Sequence, residues 1–229
     1  MPSMTRTFSV ASDLHIALHE PSLTEDNLGL KTWTSSLLLA RRLPELHKHL
    51  PTLCTEILEL GAGTGLVGIA AAYTWNVHVT LTDLPEIVPN LQHNVKQNAN
   101  LDHGRTASMT ARPLDWAEPM DKAEPGREFL LILAADPIYS PNHPALLVSA
   151  VRRWLKHSPE ARFIVELPLR QGYTKERETL RDELLQSDME LVEEGTEVGY
   201  DDWQSEDGQP SEVECWWSVW RPNNAASIK

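Results

Sequence analysis

Residues 59–65 read Glu-Leu-Gly-Ala-Gly-Thr-Gly and separate two apolar runs, TEIL before them and LVGIAAAY after them. The first run has the length of a buried strand, and the second has the length of a short helix. Glycines at alternate positions leave a bare backbone that can adopt positive φ angles and approach a ligand closely. The pattern predicts a strand–turn–helix unit whose turn contacts a ligand, with a close strand–helix junction lacking any ligand as the alternative.

The spacing of these glycines excludes two common ligand-binding turns. The dinucleotide fingerprint G-x-G-x-x-G, read from Gly61, requires a third glycine at position 66, which is Leu66. A P-loop requires Gly-Lys followed by Ser or Thr, and that sequence is absent after the turn. The turn is therefore expected to bind a ligand in which phosphate is not the main feature.

Strands and helices are predicted to alternate along the rest of the chain. Apolar runs at 55–60, 77–83, 107–114, 129–136 and 161–169 predict five strands separated by helical patterns. The run FLLILAAD is typical of a parallel strand that is buried on both faces. The alternating segments MELVEEGTEV and EVECWWSVWR predict a final antiparallel pair, joined by a polar loop at 201–211.

These elements predict an α/β fold, a Rossmann-like, mostly parallel seven-stranded sheet with a C-terminal antiparallel pair and helices on both faces. Residues 1–27 are polar and weakly patterned, so we expect an N-terminal arm there and one domain over 28–229. Helical spacing begins at Leu28 and runs to Leu50, and Pro85 is expected to open the helix after the second strand.

Acidic and aromatic residues follow the predicted strands at the edge where such sheets bind their ligands. Asp83 ends the second strand, where an acid can accept both hydroxyls of a ribose or, equally, cap the next helix. Asp115 and Trp116 follow the third strand. There the acid can accept from an exocyclic amine, and the indole can pack on a purine or belong to the core.

The fourth strand ends in Ala134-Ala135-Asp136-Pro137-Ile138-Tyr139. The small side chain of Ala135 lets a ligand lie against the strand end. Asp136 is expected at the rim of the pocket, where it can hold a cationic nitrogen that also contacts the ring of Tyr139. The alternative is an Asp-Pro turn without a ligand.

The formal net charge of −13 is concentrated in one segment, because residues 182–220 contain thirteen Asp and Glu and no Lys or Arg. This segment is either a solvated acidic surface or a surface that steers a basic partner. Direct binding of nucleic-acid phosphates is disfavoured, since it requires a basic footprint.

Two cysteines, Cys54 and Cys215, lie far apart and fit buried thiols in a reducing compartment better than a disulfide framework. Their spacing is not that of a metal site, and we expect no metal. The apolar runs are shorter than the ~20 residues that span a bilayer, and the N-terminus has no apolar signal core. We therefore expect a protein of the cytoplasm, with the nucleus as a second compartment, and no membrane partner.

Taken together, these residues resemble the class I, seven-strand, S-adenosylmethionine-dependent methyltransferases. Within that class they resemble the non-histone protein-lysine methyltransferases of methyltransferase family 16, which include fungal elongation-factor methyltransferases. The matching motifs are ELGAGTG (59–65), LTDL (81–84), LDW (114–116), ADPIY (135–139) and GLKTW (29–33). The resemblance covers roughly residues 28–220 and implies that 28–229 is a methyltransferase domain.

The resemblance also implies a cofactor, S-adenosylmethionine, which is released as S-adenosylhomocysteine. The turn would line its methionine moiety, Asp83 would bind the ribose, and Trp33 would cover it. Leu84 would lie beside the adenine, and Ala135 would close the pocket. The full set of implied cofactor-binding residues is Trp33, Glu59, Gly61, Ala62, Gly63, Gly65, Asp83, Leu84, Asp115, Trp116 and Ala135.

Asp136 and Tyr139 would be the catalytic pair of the family's D-x-x-Y motif, which is associated with lysine selection. The resemblance implies methylation of a lysine in a protein substrate, a translation factor or another non-histone protein. The acidic segment at 182–220 suggests that this substrate has a basic docking surface. Pro137 departs from the pattern toward the D-P-P-Y of enzymes that methylate base amines. A small molecule or a base amine is therefore kept as the alternative acceptor, and a cofactor-binding but inactive subunit as a third hypothesis.

Overall fold

The computed structural model describes residues 3–22, 28–99, 107–118, 127–204 and 210–223. Its strands are β1 (Met4–Ala11), β2 (Leu14–Glu20), β3 (Glu56–Leu60), β4 (His78–Asp83), β5 (Ser108–Pro113), β6 (Leu131–Ala135), β7 (Arg162–Pro168), β8 (Met189–Gln204) and β9 (Pro210–Pro222). Its helices are α1 (Thr34–Leu46), α2 (Leu66–Trp75), α3 (Val88–Asn98), α4 (His143–Trp154) and α5 (Thr174–Gln186). Short 3-10 helices occupy Leu28–Leu30, His47–His49 and Gln171–Tyr173.

Strands β3 to β9 form one seven-stranded sheet in the order β5-β4-β3-β6-β7-β9-β8. The pairs from β5 to β7 are parallel, and β9 pairs antiparallel with both β7 and β8. The chain order reverses between β3 and β6, so the carboxyl ends of these two strands flank the topological switch point. The predicted fold is confirmed, including the antiparallel C-terminal pair.

Both faces of the sheet are covered, as strand β6 shows. Its residues Leu131, Leu133 and Ala135 pack into a core with α1, α2 and α3, whereas Ile132 and Ala134 pack into a second core with α4 and α5. Successive side chains of a strand point to opposite faces, so a continuous apolar run is what such a two-sided strand needs. The glycine turn follows the carboxyl end of β3, and Asp136 follows the carboxyl end of β6.

An antiparallel hairpin of β1 and β2 packs beside the main sheet. Its apolar side chains Phe8, Ile16 and Leu18 join the core formed with α2 and α3. Asn98 of α3 accepts from the Ala17 amide at 3.2 Å through Oδ1 and donates to the Ala17 carbonyl at 2.8 Å through Nδ2. The division of the chain after residue 27 remains a prediction.

Three predicted boundaries are wrong. The helical spacing from Leu28 does not give one helix, because residues 31–33 are non-helical and Trp33 has an extended backbone that turns the segment toward the cleft. Helix α3 begins at Val88, not at Pro85, after a turn closed by the Ile87 amide on the Leu84 carbonyl at 2.9 Å. Strand β8 extends through residues 201–204 of the predicted loop, and residues 205–209 lie outside the described part of the chain.

Candidate functional site

The glycine turn between β3 and α2 requires glycine for conformation and for space. Gly61, Gly63 and Gly65 have φ angles of +66°, +56° and +94°, which L side chains rarely adopt. A Cβ on Gly63 would lie 2.9 Å from the carbonyl oxygen of Gly29, and one on Gly65 would lie 2.7 Å from Leu91 Cδ1. The turn is therefore pressed between the GLKTW segment and helix α3.

Asp83 ends β4 and holds this turn. Its Oδ2 accepts the amide of Gly63 at 2.7 Å, and its Oδ1 accepts the amide of Leu84 at 2.7 Å. Burial raises the pKa of Asp83 above its usual range, while these two donors lower it in part. Asp83 does not cap helix α3, whose N-cap is Ile87, so the capping alternative is wrong. The carboxylate lines the cleft beside the turn.

Asp115 and Trp116 follow β5 on the other side of the turn. Asp115 accepts the Ala117 amide through Oδ1 at 2.8 Å, which fixes the chain after the strand. The half-buried Trp116 packs against the core of α4 with one side, and a Cβ on Gly61 would lie 3.2 Å from its Cζ2. Its ring meets that of His143 edge-to-face at 6.1 Å. Trp116 is therefore both a core aromatic and a wall of the cleft.

Asp136 follows β6 in a left-handed conformation, with φ at +51°. Its side chain is only 6% exposed, so the expectation of a carboxylate at the rim is wrong. Oδ2 has no hydrogen-bond partner in the described part of the chain, and its ion-pair partner Arg170 has Nη2 3.6 Å away. Burial raises the pKa of Asp136 to about 6, and the Arg170 guanidinium offsets part of that rise. A strained, buried acid in a cleft is typical of a functional site.

Tyr139 and His143 form an aromatic pair near Asp136. Tyr139 is 44% exposed, and its ring meets that of His143 edge-to-face at 4.2 Å. Burial raises the pKa of the Tyr139 phenol and lowers that of the His143 imidazole. Both side chains are therefore neutral near pH 7, so they contribute ring surface rather than charge.

Trp33 contacts two cations through its ring. The Lys31 Nζ atom and the Arg170 Cζ atom are each 5.0 Å from the centroid of its ring. The Trp33 indole N–H donates to the Leu28 carbonyl at 3.2 Å. Lys31 also forms a buried ion pair with Asp201, with Nζ 3.5 Å from Oδ1. These contacts fix the orientation of Trp33 over the cleft.

These groups line one cavity of about 540 Å³ beyond the carboxyl ends of β3 and β6. Its walls include eleven of the thirteen predicted site residues: Trp33, Gly61, Ala62, Gly63, Asp83, Leu84, Asp115, Trp116, Ala135, Asp136 and Tyr139. The lining does not include Glu59 or Gly65. Whether each of the thirteen residues contacts a ligand remains a prediction.

Glu59 lies instead beneath the first turn of α2. Its side chain is buried, and burial raises its pKa to about 8. The nearby Gly68 amide lowers this pKa, whereas the charge of Asp83 raises it further. The amides of a first helical turn lack partners within the helix, so an acid beneath them is favourable. Glu59 thus supports the turn from below the cavity.

Several residues of the cavity were not predicted from the sequence. Arg170 and Tyr173 follow β7, and Lys31 belongs to the GLKTW segment. His143 starts helix α4. The signal that could have found Arg170 is its place directly after a parallel strand, the same signal that selected Asp83 and Asp136.

Much of the acidic segment is paired within the chain. Four of its carboxylates bind basic residues that lie outside it or at its edge; the pairs are Glu190–Arg221, Glu193–Lys48, Glu194–Arg181 and Glu197–Arg42. Asp201 is buried against Lys31. For Glu212 and Glu214, both exposed on β9, the described residues provide no ion pair.

Both cysteines are buried free thiols. In the described ranges, no group of three or more His, Cys, Asp or Glu is placed to hold a metal ion. The helices of those ranges include none long and apolar enough to cross a membrane.

Solved structures share this fold. A SAM-dependent methyltransferase from Agrobacterium tumefaciens superposes with a TM-score of 0.60 at 15% identity, covering 96% of this chain and 70% of that one. A second SAM-dependent methyltransferase, from Methanosarcina mazei, superposes with a TM-score of 0.55 at 13% identity, covering 79% and 97%. At these identities the likeness shows the fold alone.

Curated relatives are much more similar in sequence. Protein-lysine N-methyltransferase EFM2 of Saccharomyces cerevisiae is 42% identical over 224 residues, which is 88% of this chain and 52% of the relative. Protein-lysine N-methyltransferase rrg1 of Schizosaccharomyces pombe is 35% identical, covering 96% and 71%. The mouse EEF1A lysine methyltransferase 3 is 34% identical, covering 62% and 60%. The chain thus spans about half the length of the S. cerevisiae relative.

The sequence profile of one family matches most of the chain. This family is described as lysine methyltransferase, and the match runs over residues 12–180, from the N-terminal hairpin through the glycine turn and Asp136 into helix α5. The matched range contains every residue predicted for the site. The chain belongs to the lysine methyltransferase family.

Proposed function

We propose that this protein transfers the methyl group of S-adenosylmethionine to a lysine side chain of a protein substrate. The observation that carries the proposal is the position of Asp136. Its buried Oδ2 has no hydrogen-bond partner in the described ranges, and it lies in the same cavity as the glycine turn. An acceptor for an amine N–H therefore shares a cavity with a backbone suited to a small ligand.

The residues of the cavity fit the cofactor. About 540 Å³ lies within the ~300–1,000 Å³ of small-molecule pockets. Gly61 and Gly63 would line the methionine moiety, Asp83 would accept from the ribose, and Asp115 and Trp116 would hold the adenine. When bound, S-adenosylmethionine supplies an electrophilic methyl group on a sulfonium centre.

The chain's own residues would act on the acceptor amine. A lysine has a reference pKa of ~10.4, so at neutral pH its ammonium must lose a proton before it can attack. Partial desolvation and nearby positive charge lower that pKa. Asp136 would accept an N–H of the amine and orient its lone pair, with the proton passing to water. Tyr139 would line the approach with its ring. Alignment of this kind contributes ~7–11 kcal/mol in well-positioned systems.

The substrate class follows from the relatives. A mouse relative is named an EEF1A lysine methyltransferase, which supports a translation factor as the substrate. The sites of action would then be the cytoplasm and, as a second compartment, the nucleus.

A basic surface of the substrate would dock onto one exposed face of the β8–β9 hairpin. Val198 and Tyr200 are 53% and 62% exposed, and their neighbours across the strand pair are Glu214 and Glu212. The face thus combines apolar contact area with two carboxylates. The opposite face of β8 reaches the cavity wall through the pair of Asp201 with Lys31, so a substrate bound to the exposed face would lie close to the site.

A small molecule or a base amine is the second candidate acceptor. Pro137 directly after Asp136 favours it, because D-P-I-Y is close to the D-P-P-Y of base-amine enzymes. The net charge of −13 opposes a nucleic-acid substrate.

The test is to incubate the purified chain with S-adenosylmethionine carrying a labelled methyl group and a cell extract, and to separate protein, RNA and small-molecule fractions. We expect acid- and base-stable label in one or a few proteins, located on lysine by mass spectrometry. Label confined to RNA or small molecules would overturn the proposal in favour of the second candidate. No label in any fraction, with S-adenosylhomocysteine still bound in calorimetry, would identify an inactive subunit.

A further inference from the structure

Arg170 places a cation at the acceptor end of the cavity. It follows β7 by two residues, and its Nη2 atom lies 3.6 Å from Asp136 Oδ2 while its Cζ atom lies 5.0 Å from the Trp33 ring. All three side chains line the same cavity. The Arg170 side chain is 34% exposed, whereas that of Asp136 is only 6% exposed.

This ion pair is incomplete. Charge-assisted hydrogen bonds between nitrogen and oxygen have lengths of ~2.7–2.9 Å, and 3.6 Å is well outside that range. Within the described ranges Asp136 Oδ2 accepts no well-formed hydrogen bond, although the Ser35 hydroxyl of α1 lies near enough to lower the pKa of Asp136. Arg170 therefore contributes its charge to Asp136 while leaving the oxygen free to accept a hydrogen bond from another group.

Resting on the proposed function, we propose that Arg170 is a positioning residue that keeps Asp136 ionised and admits the acceptor lysine in its neutral form. A positive charge beside both groups favours the carboxylate over the carboxylic acid and the amine over the ammonium. The guanidinium repels an arriving ammonium. A neutral amine is not repelled, and it can donate to Asp136 Oδ2 without bringing a second positive charge into the cavity. The lysine would thus be deprotonated on entry.

The neighbouring acid Asp201 does not cancel the effect of the Arg170 charge on Asp136. Asp201 of β8 raises the pKa of Asp136, but Asp201 is itself paired with Lys31 at 3.5 Å, so much of its field is offset. Lys31 itself contacts the Trp33 ring, with Nζ 5.0 Å from the ring centroid. Arg170 is the ion-pair partner that the structure gives Asp136 directly.

Three further titratable groups near Asp136 are neutral at pH 7. Burial raises the pKa of Glu166 on β7 to about 9, so its carboxyl group keeps its proton. Burial likewise raises the pKa of the Cys215 thiol on β9 and of the Tyr139 phenol. The charge next to Asp136 is therefore set mainly by Arg170, which makes the pair accessible to a single substitution.

The first test is a direct titration of the full-length protein without substrate. Its aspartates are labelled with ¹³C at the carboxyl carbon, and the Asp136 signal is assigned by its loss in Asp136→Asn. In Arg170→Gln we expect the Asp136 midpoint to rise by roughly one pH unit, the low end of the effect of an adjacent opposite charge. Arg170→Lys should restore the wild-type midpoint. An identical midpoint in wild type and Arg170→Gln would overturn the inference.

The second test uses transfer of label to protein in the extract assay. The pH at half-maximal kcat/KM should move upward by about one pH unit in Arg170→Gln, because the acid and the amine both lose the nearby cation. At a pH below the midpoints of both proteins, kcat/KM of Arg170→Gln should therefore be roughly tenfold lower than that of wild type. Arg181→Gln, which breaks a surface pair with Glu194, is the matched control and should keep the wild-type profile.

The outcomes separate this inference from the proposed function. A wild type that labels protein, with coincident profiles for wild type and Arg170→Gln, would overturn the role of Arg170 alone. Loss of S-adenosylhomocysteine binding in Arg170→Gln would also overturn it, by placing the residue in the cofactor site. A wild type that labels no protein would overturn the proposed function, while the carbon titration still decides whether Arg170 sets the charge of Asp136.

Discussion

The backbone of Gly68 in helix α2 lies against the carboxyl group of Glu59, in a contact that leaves no room for a Cβ atom. Glu59 does not line the cavity, yet it is the first residue of the ELGAGTG motif that marks the site. Its buried carboxyl supports the first turn of α2, and α2 in turn holds the glycine turn in place. The acidic residue of the motif is thus structural support for the cleft.

Substituting Gly68→Ala should therefore destabilise the protein by roughly 1–3 kcal/mol, the usual effect of overpacking a core. A Cβ there would collide with Glu59 Oε2 and lie 2.7 Å from Leu81 Cγ. At an unobstructed helical position the same change stabilises by about 1 kcal/mol. Urea unfolding measures the difference. Gly172→Ala is the control, since nothing lies within 4 Å of its added Cβ, and a comparable loss there would contradict the explanation.

Asp136→Asn should reduce kcat for protein methylation at least about 100-fold, the scale on which a misplaced reacting group acts. The amide can no longer accept the amine with a full negative charge. Binding of S-adenosylhomocysteine, measured by calorimetry, should stay within a few-fold of wild type. A large loss of that binding would move Asp136 into the cofactor site.

The same Asp136→Asn variant should be more stable than wild type above pH 6. Because the folded pKa is about 6 and that of an unfolded aspartate is ~3.8, ionising this acid destabilises the fold by up to about 3 kcal/mol. That penalty grows as pH rises from ~4 to 6 and is constant above. Asn also suits a φ of +51°. Thermal unfolding should show that Asp136→Asn gains more stability over wild type at pH 8 than at pH 5. An equal gain at both pH values would contradict a raised pKa of Asp136.

Glu166→Gln should flatten the dependence of stability on pH. Burial and the neighbouring Glu197 raise the pKa of Glu166 to about 9, so the folded state keeps a proton that the unfolded state loses above ~4.5. Wild-type stability then falls with rising pH across that window, by up to about 1.4 kcal/mol per pH unit from this group. The gain of the variant over wild type in urea unfolding should increase from pH 5 to pH 9. Exposed Glu160→Gln, the control, should show no such trend.

Neutralising the docking face should weaken substrate binding without changing the chemistry. We expect Glu212→Gln with Glu214→Gln to raise KM for the protein substrate several-fold at low salt, to leave kcat unchanged, and to lose the effect at high salt. The double variant Glu178→Gln with Asp182→Asn makes the same charge change on α5 and should leave KM unaltered. Equal KM values for wild type and the β9 variant would leave this face a solvated surface.

The sequence predicted the sheet because its strands are buried on both faces and its helices on one. The run that contains β6 has the length of a strand rather than of a helix, and the alternation of β9 favoured an antiparallel neighbour. For the N-terminal hairpin the sequence predicts only an arm, since the apolar residues Phe8, Ile16 and Leu18 are too sparse to show a period. Asn94 and Asn98 bind it to α3 through contacts that no local pattern records.

The acidic segment shows the same division. Its composition predicted a strongly negative surface, yet three of its acids pair with Arg42 and Lys48, which are distant in sequence, and with Arg181 at the edge of the segment. Asp201, which the sequence predicts to lie in an exposed polar loop, is buried against Lys31. Charge counted along a chain does not report which charges meet after folding.

By itself the sequence determined the fold class, the glycine turn and the strand ends that carry the site, because these depend on residue periodicity and on backbone freedom, which are local. Only the tertiary structure decided that the Asp136 carboxylate is buried, that Glu59 supports a helix rather than lining the cavity, and that Arg170 stands between Asp136 and Trp33. Burial and charge pairing join residues far apart in the chain, and the pKa of an acid follows from those neighbours rather than from its own identity.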